Sequence, residues 1–448
     1  MNHLTLKGLL EKAHRLGEPP AWAIVIIAYL VLSIRLLTFV ISNSPNILFW
    51  DQWDFYDPIF KHQGFMATFN YVHGPMYKMG IGLVLTDWLN QVTHWSTTGL
   101  YVAVALCFIT SSILAIIFKV RVTGVLGALD WMIPLLFLNL FQYETYVISS
   151  DISSTTLPLL FLMIIALLMT YNEKPKAAVN LSILGISLLS MFTGYGYVVT
   201  LTVVVYYFVR IVLGPARIWQ GLCFAASLAT VGSYFIGYRP DEMGHAHASL
   251  SVYAKYAVLL IDNFFGHTAH SAGLLVMPVL LLFGFIWLFV TAMGQKRFNA
   301  ELPLLALYAL ALIYVLGNTY GRASLGLSNA QSSRYVTLLI PAYFALYVQL
   351  FRLAITETGK VRVAMPVLLA LSLGYVAVSW VHDPHSISDA QAWTVRRENW
   401  KDCYLKLGDI DRCDTQTGFN IYPKSGEAAT GLKAKLDFLK ANHLSLFN

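Results

Sequence analysis

The sequence predicts an all-α integral membrane protein of about eleven transmembrane helices, and three observations carry that expectation. Of 448 residues, 57% are hydrophobic and only 12% charged, roughly half the charged share of a soluble globular chain. Several near-continuous apolar runs reach about 18 residues, enough for a helix to cross a hydrocarbon core of roughly 30 Å. The net charge of +6 is spread over short connections between those runs rather than gathered in one patch. That distribution marks topology and argues against a nucleic-acid partner.

Residues 1–20, with Lys7, Lys12 and Arg15, read as a basic cytoplasmic segment. The apolar run 21–41 is too long for a signal-peptide core, and Val40-Ile41-Ser42-Asn43-Ser44 is a poor cleavage site, so it is expected to remain as the first helix. Further spans are expected near 97–118, 123–141, 156–171, 177–193, 195–213, 218–237, 271–293, 301–318, 335–353 and 362–381. With the N-terminus inside, the cytoplasmic segments hold fourteen Lys and Arg residues. The opposite loops hold six: Lys61, Lys78, Arg239, Lys255, Arg322 and Arg334. This positive-inside bias places the transmembrane domain at 21–381 and an extracytoplasmic tail at 382–448. In that tail Cys403 and Cys413 are expected to form a disulfide, because no Cys-x-x-Cys or histidine cluster accompanies them. Cys107 and Cys223 fall in spans as small packing residues.

Long loops gather on the outer side: 42–96, 238–271 and 319–334. Long loops on one face usually carry function. The first opens with Trp50-Asp51-Gln52-Trp53-Asp54-Phe55-Tyr56-Asp57, three carboxylates three apart among aromatics, which share a face if helical. One reading is an interfacial segment with its acids toward water. The other is a catalytic base among Asp51, Asp54 and Asp57, carboxylates crowded enough for one pKa to rise or for a divalent cation such as Mg or Mn to bind, with aromatics suited to a sugar ring. His73 follows, read either as an ordinary loop histidine or as a secondary catalytic candidate. Residues 76–92 carry Lys78 and Asp87 and read as an amphipathic helix lying on the outer surface.

The third loop holds Arg322 and Arg334 with glycines and serines and no acid, and Ser332 or Ser333 is placed to cap the helix that follows. Its outward N-terminus and two guanidinium groups suit a phosphate. The competing reading pairs these arginines with lipid headgroups or with Asp51 and its neighbours. Two charges fall inside spans and are functional candidates for that reason. Arg35 is near enough to the outer end to reach a phosphate, while Asp130 sits within reach of Lys119 or Arg121. Glu144 and Asp151 flank the outer end of the third helix.

A helix, a large outer loop opening on an acidic aromatic motif and containing an amphipathic helix, then many further spans, resembles the GT-C class of membrane glycosyltransferases. Trp50-Asp51-Gln52-Trp53-Asp54, His73-Gly74-Pro75, Gln142-Tyr143-Glu144 and Ser333-Arg334-Tyr335 together also resemble a group of bacterial multi-span proteins with no settled activity. The GT-C resemblance implies a bacterial inner-membrane enzyme that takes a sugar from a polyprenyl-phosphate carrier and passes it to a glycan or lipid acceptor. It implies Asp51 as base with Asp54 as its helper or a metal ligand, with Arg322, Arg334 and Arg35 toward the donor phosphate and His73, Glu144 and Tyr335 as secondary candidates. The first loop lacks the Glu-Asp or Asp-Glu pair of that class. A lipid-linked glycan flippase, a transporter, or a polysaccharide polymerase or ligase are the rival expectations. A transporter would call for internal repeats, and none is found.

Overall fold

In lipid, every backbone N–H and C=O must be satisfied within its own segment, so apolar runs of this length become helices. The computed structural model describes residues 19–73, 77–148, 152–172, 176–213, 218–236, 248–265, 276–294, 298–356, 361–422 and 431–448. Asp151, Gly74, Pro75 and nearly all of the 1–20 segment lie outside them. Among the described residues, five helices are long and apolar enough to cross a membrane: Ala21–Ser42, Thr97–Thr123, Ile152–Thr170, Glu301–Leu325 and Pro366–Leu407. Shorter apolar helices at Ala177–Ser190, Gly196–Val212, Met277–Met293 and Ile340–Ala354 pack among them. The chain is a multi-pass helical membrane protein, and its one sheet among the described residues is the antiparallel ribbon Val72–His73 with Tyr77–Lys78.

Two expected spans differ. The stretch expected at 123–141 is not one helix but a 3-10 turn at Ala128–Trp131, a short helix at Met132–Phe137 and a second 3-10 turn at Leu140–Gln142. The Asp130 carboxylate accepts the Gly127 amide at 2.7 Å and caps the first turn, and the helix that follows ends at Phe137, before the second turn. The last span does not stop at 381; it runs as one helix from Val361 to Leu407, through Pro384. A proline costs one backbone hydrogen bond, and the outer half is held by packing instead. Thr394 Oγ1 donates to the Asn43 carbonyl at 3.1 Å, Arg397 reaches the same oxygen at 3.3 Å, and Trp400 stacks on Tyr404. The boundary expected at residue 382 therefore falls inside a continuous helix.

The end of the bundle opposite the long loops carries buried or half-buried cations with partners inside the protein. Lys119 Nζ lies 2.5 Å from Asp130 Oδ2 with both side chains fully buried, and Tyr347 donates to the other Asp130 oxygen at 2.7 Å. Asp130 is a structural ion pair. Arg352 pairs with Glu301 at 2.5 Å, and Arg210 donates to the Asn172 carbonyl at 2.8 Å.

At the loop end, the amphipathic segment forms the helix Gly80–Thr93. One face exposes Trp88 and Val92. The other lies against the π-helical turn Ile152–Thr156, where Ser153 Oγ donates to the Met79 carbonyl at 2.9 Å. Only glycine permits that approach at residue 82, since a Cβ there would stand 2.3 Å from the Ser153 Cβ. The tail folds over the same end. The Cys403–Cys413 disulfide is formed and joins the long helix to Ile410–Thr417. The helix Leu432–Ala441 sets Phe438 edge-on to Phe60 of the first loop.

Candidate active site

The three outer loops and the last helix enclose a cavity of about 380 Å3. Its floor and walls come from segments far apart in sequence: Trp50 from the first loop, Glu144 after the broken span, residues 328–334, and His382, His385, Ser386 and Asp389 from the long helix. Hydroxyls and amides are frequent among the lining groups, beside the aromatic rings of Trp50, Phe141 and Tyr143, an arrangement suited to a polyhydroxylated ligand.

Residues 332–334 are fastened to Glu144 from both sides. The Glu144 amide donates to Ser333 Oγ at 3.0 Å, while its carboxylate accepts the Ser332 hydroxyl and, at 3.2 Å, the Arg334 amide. The expected role of the serines changes accordingly. Ser333–Tyr335 is a single 3-10 turn, neither serine caps it through its side chain, and the next helix begins only at Ile340. The anion at this turn is Glu144.

With its backbone fixed, Arg334 swings its guanidinium over the Trp50 ring at 5.6 Å and the Tyr335 ring at 5.4 Å. Among the described residues it makes no ion pair, and its Nε is buried without a hydrogen-bond partner. Burial disfavours its charge, yet Tyr335, Glu144 and Asp51 outweigh both burial and the repulsion of Arg322, so its pKa is raised. Arg322, ending the helix Phe298–Arg322, approaches the same Tyr335 ring at 5.5 Å. The two arginines therefore flank one buried tyrosine, whose hydroxyl donates to Asn329 at 3.0 Å. Burial raises the Tyr335 pKa although both guanidiniums oppose it.

The three first-loop acids have different fates. Asp51 precedes the short helix Gln52–Phe55 and follows Trp50, whose φ of 55° is a strained backbone for an aromatic residue. Its carboxylate makes no hydrogen bond or ion pair among the described residues, and its field reaches Arg334. Asp54 accepts the Tyr422 hydroxyl at 2.5 Å and faces Lys435 at 3.8 Å. Asp57 pairs with Lys61 and with Lys435, each at 2.6 Å. Burial would lift the Asp57 pKa, but the two lysines more than offset it and the net shift is downward. Tyr71, whose hydroxyl donates to the Asp54 carbonyl, is pushed up to about 12, chiefly by burial and then by Asp57 and Asp54.

Those contacts decide against the expected cation pair. Asp54 already has a phenol on one oxygen and an ammonium facing the other. No cluster of three or more His, Cys, Asp or Glu occurs among the described residues. The donor set present does not fit a divalent cation, and no step is routed through one.

Other expected residues are placed elsewhere. Arg35 lies 2.5 Å from Asp383 and donates to the Leu138 carbonyl at 3.5 Å, so its charge is answered within the protein. His73 sits in the two-stranded ribbon with its ring edge-on to Phe55 and outside the cavity lining. Sequence reasoning missed His382, His385 and Asp389. Their spacing of three and four would have put them on one face of a helix, had the span been continued past Pro384.

No protein-family model matches the chain, and no curated protein matches it. Six chains of known structure do. One is ArnT from Cupriavidus metallidurans, described as bound to undecaprenyl phosphate, which is 14% identical over 95% of this chain and 78% of its own, with a TM-score of 0.46. Similarity at that level establishes neither a common fold nor a common activity.

Proposed function

We propose that this chain is a membrane glycosyltransferase acting at the outer face of the bacterial inner membrane. It moves a sugar from a polyprenyl-phosphate-linked donor to a glycan or lipid acceptor. The observation carrying this reading is a polar cavity lined by Trp50 and Arg334, with Asp51, unpaired among the described residues, and Arg322 near enough for their charges to act on Arg334.

Transfer breaks the bond between the anomeric carbon and the phosphate oxygen and forms a bond from that carbon to the acceptor oxygen. The acceptor hydroxyl loses its proton to Asp51 as the new bond forms. The departing phosphate is a stable anion and needs no protonated acid, unlike the leaving group in glycoside hydrolysis. It needs cations held in place beforehand, which Arg334 supplies, supported by Arg322 across the Tyr335 ring. Trp50 offers an apolar face for the ring, with Asn329, Gln331 and Ser328 toward its hydroxyls.

The test deletes the gene and compares surface glycans and lipid-linked sugars by mass spectrometry, then restores it as wild type or as Asp51→Asn. Deletion should remove a glycan and accumulate a lipid-linked sugar. The Asn variant should insert normally and fail to reverse either change. Full restoration by that variant would remove Asp51 from the mechanism, and an unchanged glycan profile on deletion would remove the activity itself.

A further inference from the structure

Asp51 lies between two residues whose backbones are both held by the C-terminal segment. Before it, the Trp50 amide donates to the Ile421 carbonyl at 3.1 Å. After it, the Trp53 carbonyl accepts from Lys435 Nζ at 2.5 Å. The same ammonium ion-pairs with Asp57 at 2.6 Å and faces Asp54 at 3.8 Å, while its side chain is only 7% exposed. Tyr422 takes the remaining Asp54 oxygen at 2.5 Å. A lysine buried to this extent is costly unless its charge and donors are met. Here they are met entirely by the turn that carries Asp51.

We propose that Lys435 is a positioning residue: it engages Asp54, Asp57 and the Trp53 carbonyl, leaves Asp51 as the one carboxylate of the three without a partner among the described residues, and fixes where that carboxylate stands. The inference rests on Asp51 being the base, but its physical half concerns only the first loop and can be measured without any reaction. An unpaired acid on a free loop would reach Arg334 and neutralise it, since oppositely charged side chains in a partly buried pocket attract strongly. Tethering the turn before and after Asp51 keeps the base and the phosphate-binding cation from cancelling each other. The tail is then part of the site's framework rather than a cover.

The experiment uses the full chain in lipid nanodiscs as wild type, Lys435→Met, Lys435→Arg and Asp57→Asn, the last removing the contact from the loop side should the methionine variant fold poorly. Hydrogen exchange over residues 50–60 should rise at least tenfold in Lys435→Met and in Asp57→Asn, with the Thr97–Thr123 helix unchanged. Lys435→Arg should stay near wild type. In cells lacking the gene, Lys435→Met should cut the glycan product at least tenfold at equal membrane abundance, and Lys435→Arg should restore it. Unchanged exchange in both Lys435→Met and Asp57→Asn overturns the proposal. So does a loosened loop with wild-type product. If wild type itself makes no product while exchange still follows residue 435, the glycosyltransferase reading fails and the tether stands.

Discussion

Replacing Glu144 separates its charge from its shape and reads directly on the turn that carries Arg334. Glu144 gives that turn two charge-assisted hydrogen bonds, to the Ser332 hydroxyl and the Arg334 amide, and a backbone bond to Ser333 that no side-chain change removes. Hydrogen bonds to a charged group contribute about 1.5–3 kcal/mol and neutral ones about 0.5–1.5. Glu144→Gln keeps an acceptor and loses about 1 kcal/mol from each bond, about 2 in all. At 1.4 kcal/mol per tenfold, that is a rise of about 30-fold in exchange of the Arg334 amide. Glu144→Ala removes both acceptors and should exceed Gln by about another tenfold. Hydrogen exchange by mass spectrometry over residues 328–336 measures this, with Ser332→Ala added to each background. The serine change should cost less once Glu144 is gone, because the two share one bond. Equal exchange in wild type and Glu144→Ala, or a Gln variant worse than Ala, would refute the argument that Glu144 fixes Arg334.

Lys119→Met should destabilise the protein by about 3–5 kcal/mol, because it strands the fully buried Asp130 without its counter-charge. Thermal unfolding in detergent checks it, and Lys119→Met with Asp130→Asn should recover most of the loss; a double variant no better than the single would contradict the pairing. Burial raises the Asp262 pKa from 3.8 to about 7 at the end of the outer-loop helix Leu250–Asp262. An acid raised in the folded state loses stability as pH climbs from its ordinary value through the raised one, so Asp262→Asn should stabilise more at pH 8 than at pH 4. A gain independent of pH would show that the carboxyl does not titrate there.

What the sequence made legible follows from which forces act locally. The spans at 21–41, 97–118 and 301–318 are read correctly because the demand for internal hydrogen bonding in lipid acts on each run by itself. The stretch at 123–141 is expected as one span from its apolar content, while the preceding helix ends at Thr123 and the rest is divided into two 3-10 turns and a short helix. The last span is expected to end at 381, but tertiary contacts at Thr394 and Arg397 carry the helix onward to Leu407. The acids and arginines of the outer loops stand out by type and spacing, yet nothing in the spacing of Asp51, Asp54 and Asp57 says which one stays unpaired. That is decided by Lys435 and Tyr422, several hundred positions along the chain. A local pattern can nominate a set of equivalent carboxylates, and only a long-range partner can make them unequal. The same holds for Arg334 and Arg35: both are single cations on the outer side, and they differ because Asp383 meets one with an opposite charge, while the other lies over the Trp50 and Tyr335 rings and hydrogen-bonds Tyr335. An aromatic face attracts a guanidinium without supplying a counter-charge, so Arg334, with no ion pair among the described residues, is left to meet an incoming anion where the Arg35 charge is already answered by Asp383.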